Sequence, residues 1–303
     1  MNIIEIFQTF RTDEQAIEFL EGVRWKGNPV CPYCASERVG AHASTDRLRS
    51  RWQCHGCRRS FAVTVGTLFH GSHKSLREWF LVIALMLDAK KSASACQIAR
   101  HTGIRRPTVW SMMQRIRAAM AASDEQAGLL HGIVEADETY VGGKPRKGNK
   151  RDKNNDLPPP SKNPRGRGTR KTPVIGAVEC GGNVVARVTN PDGLSAKGIN
   201  RFMAEHVDPE GTLLITDQYK GYQRVDADAV HAIINHAREY VNGIIHTNTI
   251  EGFWALVKRA WYGSHYHYSK RYMPLYIAEA CYKYNKRHST QAFEESIAAF
   301  VGA

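Results

Sequence analysis

The sequence predicts a mixed α/β chain in which a cysteine-rich ribbon and a helical segment precede an α/β domain. Three observations predict it. Four cysteines stand in two CxxC pairs, Cys31-Pro-Tyr-Cys34 and Cys54-His-Gly-Cys57. Between residues 63 and 122, apolar side chains recur at helical spacing. From residue 130 onward, apolar runs of strand length alternate with helical patterns, as α/β domains do.

The 303 residues suffice for two or three domains, each with its own core. Lys and Arg number 42 against 29 Asp and Glu, a net charge of +13. A pI near 9.5 implies a polyanionic partner, nucleic acid or an acidic membrane. The membrane is disfavoured, because the longest apolar run, Trp79 to Leu87, is far short of the ~20 residues a spanning helix needs. The first residues, Met1-Asn-Ile-Ile-Glu-Ile, lack a basic start and a small-residue cleavage site, so no signal peptide is expected. Seven cysteines, four of them in CxxC pairs, indicate a reducing interior and metal binding rather than a disulfide framework. A cytoplasmic protein associated with the nucleoid fits these constraints.

Residues 1–29 read as a helical lead-in with Phe7, Phe10, Ala16, Ile17, Phe19 and Leu20 as its apolar positions. Thr12 followed by Gln15 has capping-box spacing. Residues 30–62 hold the ribbon. The 19 residues between the CxxC pairs match the spacing of a four-cysteine zinc ribbon. Each pair aims two thiolates at one point, and Cys31, Cys34, Cys54 and Cys57 together complete a tetrahedron. A closed thiolate shell leaves no position for water, so the Zn²⁺ is expected to be structural. Arg47, Arg49, Arg51, Arg58 and Arg59 crowd the ribbon, either as phosphate contacts or as a solvated face. Cys96, Cys180 and Cys281 stand singly in apolar contexts and read as buried packing residues.

Residues 63–125 carry three helical patterns: Leu76 to Ala89, Ala93 to His101 and Pro107 to Ala121. The last two fit a helix-turn-helix. Ala99 is small where helices approach, Gly103 suits a left-handed turn, and Pro107 is tolerated in a first helical turn. Val109, Met112, Met113 and Ile116 form the inward stripe. That leaves Arg106, Trp110, Ser111 and Gln114 facing outward, able to reach a DNA groove.

Residues 130–303 read as the α/β domain. Its first strand run, Gly132-Ile-Val-Glu-Ala-Asp, ends at Asp137, which shares a strand face with Glu135 and not with Glu138. A basic loop over residues 143–172 follows. From Gly143 to Lys171 it carries eleven Lys or Arg and two Asp, with no apolar periodicity. It is either a solvated loop or an arm for phosphates, with Arg165 and Arg167 among its candidate contacts. Pro173 to Glu179 and Asn183 to Thr189 form a hairpin around Cys180-Gly-Gly-Asn183. A helix from about Ser195 to His206 leads to the run Thr212-Leu-Leu-Ile-Thr-Asp217. After thirty-three intervening residues Glu251 opens a helical run to Lys258, two turns along the same face. Three carboxylates from separate elements suit two Mg²⁺ or Mn²⁺ ions about 4 Å apart, the arrangement that cuts and rejoins nucleic-acid backbones. Other uses remain open for each. Asp137 and Asp217 could each open a turn, Asn248-Thr-Ile-Glu251 also fits a capping box, and Lys258 could be an ordinary surface lysine. The aromatic, basic segment Trp261 to Arg271 could grip a DNA end or pack the domain.

Strand with Asp, hairpin, helix, strand with Asp, and later helix with Glu is the order of the RNase H-like fold. The ribbon and helix-turn-helix are joined here by three further stretches: Ala136-Asp-Glu-Thr-Tyr-Val-Gly-Gly143, Thr216-Asp-Gln-Tyr-Lys-Gly-Tyr222 and His246-Thr-Asn-Thr-Ile-Glu-Gly-Phe-Trp-Ala-Leu-Val-Lys-Arg259. Together they resemble the zinc-ribbon DDE transposases of bacterial insertion sequences, whose third carboxylate lies in an EGFW…K helix. The resemblance spans nearly the whole chain. It implies that Asp137, Asp217 and Glu251 bind Mg²⁺ or Mn²⁺ and that Lys258 contacts DNA near the reacting end. Some relatives carry Asn or His at the third position, and His246 and Asn248 stand close by. The implied activity is metal-dependent cleavage and strand transfer at terminal inverted repeats, by at least a dimer on double-stranded DNA. The alternative is a DNA-binding regulator with an inactive transposase-like domain.

Overall fold

A computed structural model of the protein describes residues 1–42, 51–124, 128–142, 171–219, 221–222, 230–234 and 247–302. Arg47, Arg49, Arg165, Arg167 and His246 lie outside the described residues. The chain divides into two units, Met1–Gln126 with Lys286–Ala303, and Ala127–Asn285.

In the first unit, local signals place the helices. Capping boxes at Asn2 with Glu5 and at Thr12 with Gln15 open α1 (Ile3–Thr9) and α2 (Asp13–Trp25). The lead-in is therefore two helices, and of its apolar positions Phe7 is exposed on the first. The ribbon is a three-stranded antiparallel sheet of β1 (Val39–Ala41), β2 (Trp52–Cys54) and β3 (Ser60–Phe61), in that order. It rests on α2: Trp25 meets Trp52 and Phe61 edge-on, and Trp52 Nε1 donates to Glu21 at 2.7 Å. A third capping box, Ser75 with Glu78, opens α3 (Leu76–Asp88). Gly103, at φ 71°, ends α4 (Ala95–Thr102) in the left-handed turn its position calls for, before α5 (Arg106–Asp124).

Two expectations fail here for one reason. The sequence pattern carries the α/β domain to residue 303, but the last helix, Ala292–Gly302, packs against α2, α3 and α5. Phe293 joins Phe10, Phe19 and Phe80 in one ring cluster, with centroids 5.7–6.5 Å from it. Because α5 touches α3, α4 and this last helix, its buried face is wider than a single stripe. Val109, Met112, Met113 and Ile116 are buried as expected, and so is Gln114, which was expected to face outward. Arg106, Trp110 and Ser111 stay exposed. Cys96 is exposed rather than packed, whereas Cys281 is buried.

The second unit is a five-stranded sheet covered on both faces. Its strands are β4 (Ile133–Val141), β5 (Thr172–Glu179), β6 (Val184–Val188), β7 (Leu213–Asp217) and β8 (Val230–Ile234), in the order β6-β5-β4-β7-β8. The pairs β4–β5 and β5–β6 are antiparallel, and β4–β7 and β7–β8 are parallel. Between β6 and β7 runs α6 (Ala196–His206); after β8 come α7 (Asn248–Arg259), prolonged by a π-turn over Ala260–Ser264, and α8 (Met273–Asn285). The pleat of β5 sorts the core. Val174 and Val178 pack toward α7 and α8, and Ile175 and Ala177 toward α6. Asn285 blunts the edge strand: its side chain accepts from Val184 N–H at 2.7 Å and donates to Val184 C=O at 3.1 Å. The observed order of elements is the one the RNase H-like expectation calls for. No described helix is long and apolar enough to cross a membrane.

Candidate active site and metal centres

The register of the central strands brings the two aspartates together. Parallel pairing of β4 with β7 ends at Ala136 opposite Thr216, so Asp137 and Asp217 follow side by side past the last rung. Asp137 does not end its strand, as the apolar run suggested. It lies mid-strand, because β4 continues to pair with β5 as far as Val141 opposite Thr172. Oxygens of Asp137, Asp217 and Glu138 all fall within 4.8 Å of one another. Burial first, then Glu138 and Asp217, pushes the Asp137 carboxyl up to about 7. Hard oxygen donors gathered against their own repulsion fit a divalent cation such as Mg²⁺ or Mn²⁺. Asp217 opens a turn as well, since its Oδ1 accepts from Tyr219 N–H at 3.0 Å.

Helix α7 reaches the cluster through an indole. Trp254 Nε1 donates to Asp137 Oδ2 at 3.1 Å. Room for the ring comes from Gly176, the cross-strand partner of Asp137. A Cβ at Gly176 would stand 2.7 and 2.9 Å from Trp254 ring carbons. Gly176→Ala is therefore expected to displace the indole, cost about 1–3 kcal/mol of stability, and slow any chemistry at Asp137 while leaving DNA binding in place. Thermal melting beside a cleavage assay checks this; wild-type cleavage by the variant counts against the contact.

A second carboxylate holds α7 in place. Glu135 is fully buried on the same face as Asp137. Its Oε2 accepts from Ile250 N–H at 2.9 Å, and its Oε1 from the Cys180 thiol at 3.2 Å. Burial first, then this bond, raises the Cys180 thiol to about 11. The helix N-cap, Thr247, makes no side-chain cap bond, so a strand carboxylate satisfies the donor instead. The capping-box alternative for Glu251 is thus not realised, and its carboxylate is exposed. Glu251 is not among the residues of the Asp137 cluster. It sits one turn before Trp254, on the side of α7 from which that indole meets Asp137. Lys258 is exposed two turns further on.

Sequence reasoning missed Glu135, Glu138, Gly176 and Tyr222 as site components. Two left a trace: a glycine inside the apolar run Val174-Ile-Gly-Ala-Val178, and a carboxylate inside Ile133-Val-Glu-Ala. Tyr222 is fully buried with no partner for its hydroxyl among the described residues, and burial first, then Glu138, Asp137 and Asp217, raises its pKa well above the usual value.

In the ribbon, Cys31 Sγ lies 3.6 Å from Cys57 Sγ, and Cys34 Sγ lies 3.6 Å from Cys54 Sγ. A tetrahedron with Zn–S bonds of about 2.3 Å has sulfur edges of about 3.8 Å, so the four fit Zn²⁺. Backbone N–H groups of Cys57 and Gly56 point at Cys54 Sγ and hold that thiol down to about 6. Arg58 and Arg59 are exposed beside the site, Arg59 over the Tyr33 ring at 5.1 Å. Arg51 instead turns to Glu18 and Glu21.

Comparison with known proteins places these sites in context. Residues 129–285 match the ISXO2-like transposase domain, and residues 11–60 the transposase zinc-ribbon domain. An uncharacterized protein in transposable element ISH50 of Halobacterium salinarum is 29% identical over 278 residues, covering 89% of this chain and 90% of that protein. Two solved structures are more distant. The Mos1 strand transfer complex shares 14% identity over 76% of this chain and 79% of that one, with a TM-score of 0.27. A pre-cleavage Mos1 transpososome shares 15% over 76% and 80%, with a TM-score of 0.26.

Proposed function

The chain belongs to the ISXO2-like transposase family, and from that premise we propose that it binds the terminal inverted repeats of an insertion sequence and carries out DNA cleavage and strand transfer. The observation that carries the reading is the placing of Asp137 and Asp217 side by side past the last rung of a parallel ladder, with Glu138 beside them. Two divalent ions bound there would activate water or a DNA 3′-OH and stabilise the leaving 3′ oxygen.

The chain's own residues do the rest. Asp137 and Asp217 supply the shared oxygen donors, and Trp254 fixes the orientation of Asp137. Glu251 supplies the third carboxylate from α7, and Lys258 holds the DNA backbone beside the reacting end. Arg106, Trp110 and Ser111 on α5 reach a groove, and Arg58 and Arg59 take phosphates. The zinc ribbon is structural. Two ends must be joined, so the working form is at least a dimer on DNA.

The test is incubation of the protein with its flanking DNA and Mg²⁺ or Mn²⁺, scoring both cut ends and joined products. Joined product is the expected result. Cutting without joining points to a nuclease, and binding with neither points to a regulator. Either outcome overturns the proposal. Glu251→Gln, at an exposed position, is expected to leave the fold intact and lower cleavage about a hundredfold or more. Wild-type cleavage by that variant, with loss in Glu138→Gln, transfers the third-ligand role to Glu138.

A further inference from the structure

A second feature of the α/β unit lies away from the acidic cluster. The π-turn, the segment after it, the end of β4 with Gly142 and the start of β5 with Lys171 border a cavity of about 200 Å³. Its walls include Trp261, His267 and Tyr268, its rim Lys171 and Lys270, and no carboxylate lines it among the described residues. Trp261 is 93% buried, yet its Nε1 has no hydrogen-bond partner among the described residues. A buried donor left unmatched loses its hydrogen bond to water without replacement, so such a group marks a place where an acceptor belongs. The rings are held in place. Trp261 meets Tyr268 edge-on at 6.5 Å, and Tyr268 stacks on Tyr276 at 4.1 Å. The segment left ambiguous by its sequence thus does two things. Trp261 and Tyr268 pack into the core, while His267 and Lys270 stay exposed at the cavity.

We propose that this cavity takes one unpaired nucleotide of the DNA strand, base against the ring walls and phosphate toward Lys171 and Lys270. A cavity of about 150 Å³ already accommodates a benzene ring. Cations and aromatic walls together are the means by which single strands are held without sequence readout. An orphaned indole N–H adds an acceptor requirement that base carbonyls or phosphate oxygens meet. Its distance from the acids suits the same strand. Val141 is four residues beyond Asp137 on β4, and Trp261 seven beyond Trp254 on α7 and its π-turn. Both paths measure about 10–13 Å, or three to four nucleotides at ~3.4 Å each. The proposal rests on the transposase reading and names the strand feature held beside that site.

The test compares full-length protein binding to a blunt duplex and to the same duplex with a two-nucleotide unpaired end carrying 2-aminopurine. Divalent metal is omitted, so no chemistry occurs. Wild-type protein is expected to prefer the unpaired end and to change 2-aminopurine fluorescence. Trp261→Phe keeps a ring and removes the donor; Lys270→Ala removes an exposed cation. Each is expected to cut the preference about fivefold, with blunt-duplex affinity unchanged. Absence of any preference in the wild-type protein, an undiminished preference in Lys270→Ala, or equal losses on both DNAs overturns the proposal. Metal-dependent cleavage measured in parallel separates the two readings. Joining without an unpaired-end preference removes the cavity's role and leaves the transposase assignment standing.

Discussion

Asp137→Asn is expected to abolish metal-dependent cleavage while raising the stability of the metal-free protein. Losing one ligand of a two-metal site removes several kcal/mol of transition-state stabilisation, so the rate should fall at least about a thousandfold. DNA affinity, which rests on other residues, should change little. The stability effect follows from the buried carboxyl. In the folded protein its pKa is raised from 3.8 to about 7, with burial as the largest cause. A carboxyl raised in this way contributes stability that is fully present below about pH 3.8 and is lost as pH rises through 7. At pH 8 the wild-type metal-free protein has lost that contribution, up to about 4 kcal/mol at ~1.4 kcal/mol per unit. The amide does not ionise and still accepts from Trp254. Metal-free Asp137→Asn should therefore melt several degrees above wild type at pH 8 and close to it at pH 4. Mn²⁺ should raise the melting temperature of wild type and not of the variant. Full strand transfer by the variant, or a variant less stable than wild type at pH 8, contradicts the site.

Removal of zinc has the second large effect. Among the described residues, the buried core of the ribbon is only Cys31, Cys54 and Phe61, with a few partly buried neighbours. So little apolar surface cannot offset the entropy of ordering three short strands. Zinc binding in comparable modules contributes about 10–16 kcal/mol of folding energy. Cys54→Ser, or chelation selective for zinc over Mg²⁺, is expected to open residues 30–62 to proteolysis and to reduce DNA binding. Metal analysis should find one zinc per chain in wild type and none in the variant. A zinc-free protein with an intact, protease-resistant ribbon would show that the thiols act only as packing.

Much of this organisation was legible in the sequence because it is local. Thr12 with Gln15 caps α2, Gly103 ends α4, and the Cys180-Gly-Gly-Asn183 turn joins β5 to β6, each set by a few neighbouring residues. The cysteine spacing sufficed for the four-sulfur cluster. Side-chain alternation along β4 correctly put Asp137 on the face of Glu135. The same periodicity put Gln114 outside and failed, because the width of a buried helix face depends on how many neighbours it has.

Tertiary structure alone decided the rest. Asp137 and Asp217 are 80 residues apart in sequence and become neighbours only through the parallel register of β4 and β7. Glu138, pointing the other way along its strand, joins them because β7 stops and leaves the last rung open. Glu135 became a helix anchor, Gly176 a seat for an indole, and the last helix a member of the first unit. Caps, turns and metal knuckles depend on contacts a few residues apart, which a sequence displays directly. Convergence of carboxylates and the sharing of helix faces depend on which distant surfaces bury one another, and only the packed chain specifies that.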